Sequence, residues 1–164
     1  MIRILVLHGP NLNLLGTREQ RTYGTQTLNE VNMSIGQLAR REGVHVDARQ
    51  SNHEGELVTW IQDTQGQYQG LVINPAAYTH TSIAIRDAIA AVEVPTVEVH
   101  LSNIHRREAF RKRSLIAPVA LGQISGLGVA SYLLGVQAMI DYVRQRNTEK
   151  TRNVTPLDRG VMRS

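Results

Sequence analysis

The sequence predicts an α/β fold: a doubly wound, five-stranded parallel sheet in a three-layer sandwich. Three observations carry this. Short apolar runs alternate with segments of helical period through most of the chain. Two of those runs stop at a proline, Ile2–Leu7 before Pro10 and Leu71–Ile73 before Asn74-Pro75, as buried strands do when the ladder loses its donor. And the 164 residues fit one domain, long enough to bury a core on both faces of a sheet.

The elements follow in order. Ile2 to Leu7 is the first strand. A long aperiodic stretch, His8 to about Thr27, comes next. Thr27 with Glu30 three residues on is a capping-box signature, and Leu28, Val31, Ile35 and Leu38 follow at helical spacing. Gly43 is the expected stop. Val44–Gln50 alternates as a strand. Ser51 to Glu54 holds the cap of a second helix with Leu57, Val58, Trp60 and Ile61 on its apolar face. Leu71–Ile73 is the third strand. A helix from about Ser82 turns Ile85, Ala88, Ile89 and Val92 inward, and Pro95 ends it. Thr96–Val99 is the fourth strand. A basic stretch, Arg106–Arg113, precedes a fifth strand at Val119–Ile124. Val129, Leu133, Val136, Ile140 and Val143 then give an amphipathic helix. The domain is expected to span residues 1–146. The polar tail, 147–164, is expected to be disordered or to serve as an oligomer contact.

This order is flavodoxin-like, and such sheets bind ligands outside the carboxyl ends of their strands. The stretches after strands one, three and four would therefore gather Asn11, Arg18, Tyr23, Asn74, His80, His100 and Ser102 around one crevice. The stretch after strand one is too long for an ordinary connection, and loops of that kind are usually lids or binding loops.

Composition narrows the chemistry. The net charge is +4, and the only lysines are Lys112, in a charge cluster, and Lys150, in the polar tail. Imine chemistry needs a desolvated lysine, so it is disfavoured. The absence of cysteine removes disulfides, thiolate nucleophiles and Cys-ligated metals, and fits a cytoplasmic protein. No apolar run reaches the roughly 20 residues of a membrane span, and no secretory signal pattern opens the chain. There is no G-x-G-x-x-G after the first strand, no Walker P-loop, no H-E-x-x-H and no G-x-S-x-G, so neither a nucleotide cofactor nor a metal is expected.

Tyr23 and Arg18 share the loop. A free phenol has a pKa of about 10, and a nearby guanidinium favours its ionised form. The alternative is a tyrosine packed on the surface. Glu98 and His100 lie two apart on a strand and so point the same way. A carboxylate on one imidazole nitrogen fixes the tautomer and favours the protonated ring, as a general acid needs. A structural histidine is the alternative. Leu101-Ser102-Asn103 leaves the same strand end and offers backbone N–H groups and a hydroxyl to an anion. Asn74 before a proline is more commonly a turn residue, His80 reads also as a helix cap, and Asp87 as part of a solvated face. The arginines of 106–113 read as a substrate clamp, a solvated turn or a nucleic-acid patch.

Three segments, His8-Gly9-Pro10-Asn11-Leu12-Asn13-Leu14-Leu15-Gly16, Ile73-Asn74-Pro75-Ala76-Ala77-Tyr78-Thr79-His80-Thr81-Ser82 and Glu98-Val99-His100-Leu101-Ser102-Asn103, together resemble the type II 3-dehydroquinate dehydratases, or type II dehydroquinases. The resemblance holds in order and spacing from about Met1 to Arg146. It implies a cofactor-free lyase that converts 3-dehydroquinate to 3-dehydroshikimate by anti elimination through an enolate. The step belongs to the shikimate pathway of aromatic amino acid biosynthesis or to quinate breakdown. It makes Tyr23 the base supported by Arg18, His100 the proton donor oriented by Glu98, and Asn11 the holder of a water at the enolate. It gives the substrate carboxylate to Asn74 and to main-chain groups at Leu101 and Ser102, and the ring carbonyl and hydroxyls to Asn74, His80, Asp87 and Arg111. It further implies a homo-oligomer, commonly trimers grouped into a dodecamer, with a small anionic substrate and neither nucleic acid nor membrane as partner. The tail from Asn147 departs from the pattern by its length. A binding module without turnover, or a nucleic-acid binder using the arginine cluster, would leave the Arg18–Tyr23 loop and the Glu98–His100 pair unexplained.

Overall fold

The computed structural model describes residues 1–17 and 19–153. Five parallel strands, β1 (Arg3–His8), β2 (His45–Gln50), β3 (Gly70–Asn74), β4 (Thr96–His100) and β5 (Gly122–Ser125), form one sheet in the order β2-β1-β3-β4-β5. That is the flavodoxin-like order, with β1 and β3 adjacent where the winding reverses.

Alternation along β1 sets the layers. Ile4 and Val6 join one core with Val31, Ile35 and Leu38 of helix α2 (Leu28–Glu42) and with Tyr132, Val136, Met139 and Ile140 of helix α5 (Val129–Asn153). Leu5 and Leu7 join the other with Leu57 and Ile61 of α3 (Glu54–Gln62) and Ile85, Ala88, Ile89 and Val92 of α4 (Ile83–Val92). Each of these side chains is at most 6% exposed. Glycine 135 lets α5 approach the sheet, since a Cβ there would lie 2.5 Å from a Val99 methyl.

The capping box of α2 is formed on both sides: Thr27 accepts from the Glu30 N–H at 3.2 Å, and Glu30 accepts from the Thr27 N–H at 2.7 Å. Gly43 closes that helix in the left-handed region at φ 64°.

Four expectations need correction. The stretch after β1 is not wholly irregular: it holds a 3-10 turn (Leu12–Leu14) and a one-turn helix, α1 (Gln20–Tyr23). No side chain caps α3, whose N-cap is His53; Ser51 instead bonds the Glu56 carboxylate and the His53 N–H. The fifth strand starts at Gly122, because Ala117–Val119 curls into a 3-10 turn after Ile116 is buried. And α5 runs through Asn153, so residues 147–153 of the expected tail are helical, joined by Gln145–Glu149 and Thr148–Arg144 bonds at helical spacing. The remainder of that tail, 154–164, lies outside the described residues. No described helix is long and apolar enough to cross a membrane.

A polar chain runs beneath the carboxyl edge of the sheet. His8, fully buried at the end of β1, donates from Nε2 to the Asn32 Oδ1 on α2 and accepts at Nδ1 from the Tyr132 hydroxyl on α5, both at 2.8 Å. Burial pulls its pKa down from the ordinary 6.5 to about 4, against a smaller opposing pull from the Asn32 bond. The unfolded chain therefore takes up this proton first. Stability should fall as pH drops through 6.5 and level off, for this group, below about 4, a loss of about 3 kcal/mol. Denaturant midpoints from pH 7 to pH 4 check this: His8→Asn should lack that part of the slope.

Candidate functional site

The carboxyl ends of β1, β3 and β4 open into a cleft of about 670 Å³, counting its mouth, within the size of small-molecule sites. Of the expected residues, Asn11, Tyr23, Asn74, His80, His100, Leu101, Ser102 and Arg111 line it.

The first wall depends on close contact between two loops. The Gly9 N–H donates to the Asn74 carbonyl at 2.8 Å, and a Cβ at Gly9 would sit 2.5 Å from the Pro75 carbonyl oxygen. Only glycine fits there. Asn11 follows in the left-handed region at φ 65°, its N–H held by Asn52 Oδ1 at 2.9 Å. Gln50 donates to both Asn52 Oδ1 and the Gly9 carbonyl, tying the turn to the end of β2. Across from it, Ala76 is held at φ 52°, an uncommon conformation for a residue with a Cβ, and its N–H donates to Asn74 Oδ1 at 3.1 Å.

His100 ends β4 at 5% exposure, and Glu98 is fully buried behind it. Their side chains meet at 2.6 Å between Nε2 and Oε1. A carboxylate can only accept, so Nε2 carries the hydrogen. Nδ1 is then the nitrogen left to exchange a proton in the cleft. Glu98 is held in turn by Ser114, whose hydroxyl lies 2.8 and 2.9 Å from its two oxygens and accepts from the N–H groups of Ile116 and Ala117. The hydroxyl has one hydrogen to give, and the two backbone donors aim it at the carboxylate.

Tyr23 stands at the end of α1, half-buried. Its hydroxyl accepts from Arg107 Nη1 at 2.6 Å, and the guanidinium also lies 5.3 Å from the ring centre. Arg107 is 17% exposed and lies 3.8 Å from Glu19 and 3.7 Å from Glu108, so it links the loop after β1 to the β4–β5 connection. Arg111, three residues toward Glu108's other side, rests on the Phe110 ring.

His80 does not cap α4. Ser82 does, accepting from the Ile85 N–H at 2.9 Å, while His80 Nδ1 donates to the Arg113 carbonyl at 2.7 Å and leaves Nε2 as an acceptor. Asp87 sits exposed on α4 and is not among the residues that line this cleft. Arg18 lies outside the described residues. Arg107 and Ser114 are functional candidates the sequence reading passed over. Arg107 was one cation in a basic run, and nothing in the local pattern marks Ser114. Among the described residues no group of three or more His, Asp or Glu is placed to hold a metal.

The sequence profile of the family described as dehydroquinase class II matches residues 2–140. A 3-dehydroquinate dehydratase of Geotalea daltonii is 58% identical over 144 residues, covering 88% of this chain and 100% of the relative. The 3-dehydroquinate dehydratase 2 of Pseudomonas aeruginosa is 58% identical over 134 residues, covering 82% and 90%. Among solved structures, the type II dehydroquinase from Butyrivibrio crossotus matches with a TM-score of 0.83 at 42% identity, covering 84% of this chain and 97% of that one.

Removing the Ser114 hydroxyl leaves a buried carboxylate short of a donor. Ser114→Ala should lower unfolding stability by about 1–3 kcal/mol. Measured by chemical denaturation, its cost should be coupled to Glu98→Gln by about 0.5–3 kcal/mol, as for groups in one network.

Proposed function

The chain belongs to the class II dehydroquinase family, and from that premise we propose that it dehydrates 3-dehydroquinate to 3-dehydroshikimate by stepwise anti elimination. The observation that carries the reading is the pairing of two proton-handling groups across one cleft, Tyr23 with Arg107 and His100 with Glu98.

Tyr23, as phenolate, takes the proton from the carbon alpha to the ring ketone. The electron pair of that C–H bond forms an enolate. Arg107 supplies the cation that meets the phenolate charge, and Arg18 of the same loop as Tyr23 shares that task. Asn11 holds a water against the enolate oxygen, and its left-handed turn, clamped by Asn52, aims it there in advance. The enolate then collapses, the C–O bond to the departing hydroxyl breaks, and His100 protonates it from Nδ1 to give water. Glu98 keeps Nε2 protonated and stabilises the imidazolium before transfer. The proton gained by Tyr23 returns to solvent or His100 to close the cycle.

The substrate carboxylate is assigned to Asn74 and to the main chain at Leu101 and Ser102. His80 and Arg111 take ring oxygens. Residues 107 and 111 of the basic run are half-buried along the cleft, which favours a small anion over a nucleic acid as partner. A cytoplasmic, cofactor-free homo-oligomer is part of the same proposal.

Appearance of the conjugated enone in ultraviolet absorbance tests the reaction. Wild-type protein should generate it from 3-dehydroquinate, and Tyr23→Phe should retain less than about 1% of kcat. Arg107→Ala and Arg18→Ala should each lose most of kcat, about a hundredfold for Arg107. Tyr23→Phe at the wild-type rate would remove the phenol from the mechanism.

A further inference from the structure

Tyr132 and His8 are fully buried, carry titratable groups and do not themselves line the cleft, yet both lead to Asn74, which does. Parallel pairing puts His8 of β1 beside Asn74 of β3. The Tyr132 hydroxyl is bonded to His8 Nδ1 at 2.8 Å, and the Asn74 side chain is its polar neighbour on the other side. Burial pushes the Tyr132 phenol up, so it stays protonated.

The direction of every bond in this chain can be assigned. Asn32 Oδ1 can only accept, so His8 Nε2 donates to it. A neutral imidazole has one hydrogen, so Nδ1 must accept, and Tyr132 gives its hydrogen there. The Tyr132 oxygen can then only accept from Asn74, and that requires the amide nitrogen of Asn74. The Ala76 N–H donates to Asn74 Oδ1 and reinforces the same orientation. One Asn74 N–H is then directed at Tyr132, which leaves the second for a ligand in the cleft that Asn74 lines.

We infer that His8 and Tyr132, anchored by Asn32, are positioning residues that hold the Asn74 amide with its N–H toward the cleft and so select a carboxylate there. This rests on the proposed reaction for its ligand, but the His8 bonds to Tyr132 and Asn32 and the Ala76 bond to Asn74 stand on their own geometry. The opposite orientation would present a carbonyl oxygen to the anion and repel it. His8 acts as a relay through the place of its acceptor: an asparagine at position 8 would put its Oδ1 where Nδ1 lies and could still accept from Tyr132.

Tyr132→Phe keeps the ring and removes the relay. With 3-dehydroquinate, KM should rise about tenfold while kcat falls by less than about threefold, the split expected for lost ground-state binding. His8→Leu should show the same split, and His8→Asn should recover most of that loss. A readout independent of turnover is hydrogen exchange of the Asn74 side-chain amide by nitrogen-15 NMR. The inward N–H should exchange slowly in wild type and at least tenfold faster in Tyr132→Phe. An unchanged KM and unchanged exchange in folded Tyr132→Phe would overturn the inference. Wild-type protein without turnover, but with the slow amide proton, would sink the assigned reaction and leave the relay standing.

Discussion

A 2.6 Å hydrogen bond from Arg107 to the Tyr23 hydroxyl joins residues 84 positions apart in the chain. One partner sits on the loop after β1, the other on the connection from β4 to β5. Those segments are the two lips of the cleft, so the bond that places a cation on the phenol also sets how closely the lips approach. Glu19 and Glu108 flank the same guanidinium at 3.7–3.8 Å and keep it from swinging away. His100, the proposed proton donor, is fixed by a different device. Glu98 and Ser114 hold His100 from below, inside the fold. The two groups proposed as base and acid are thus held by separate devices, one between the lips of the cleft and one inside the fold.

The sheet makes this possible. Parallel pairing ends β1, β3 and β4 at one edge in His8, Asn74 and His100, all nearly or wholly buried. Buried polar groups must find partners. Here the partners come from the helices and connections packed at that edge: Tyr132 and Asn32 for His8, Ser114 by way of Glu98 for His100. The polar interior beneath the site is therefore as much a part of the binding surface as the residues that line it.

Much of this was legible in the sequence for identifiable reasons. Local signals were reliable where the physics is local: the Thr27–Glu30 capping box, the Ser82 region as a helix start, Gly43 as a stop, and the strands that end before proline. The Glu98–His100 pair followed from the two-residue period of a strand. What was not legible depends on tertiary contact. Arg107 was indistinguishable from its neighbours in a run of arginines until the fold put it on Tyr23. Ser114 had no spacing relation to Glu98 at all. The fifth strand was read early because Val119–Ile124 is apolar enough, whereas burial of Ile116 and a turn at Ala117–Val119 delay it. Asp87 is a site residue by resemblance alone, while the helical period, read by itself, puts it on the solvated face where it lies.

The central claim is that Tyr23 removes the α-proton in a step separate from the proton delivery by His100. Incorporation of deuterium at the α-carbon of 3-dehydroquinate in D₂O, followed by proton NMR, separates the two. The mechanism predicts that His100→Ala still exchanges this hydrogen while forming little enone, and that Tyr23→Phe does neither. Exchange that persists in Tyr23→Phe, or vanishes with His100 alone, would contradict it.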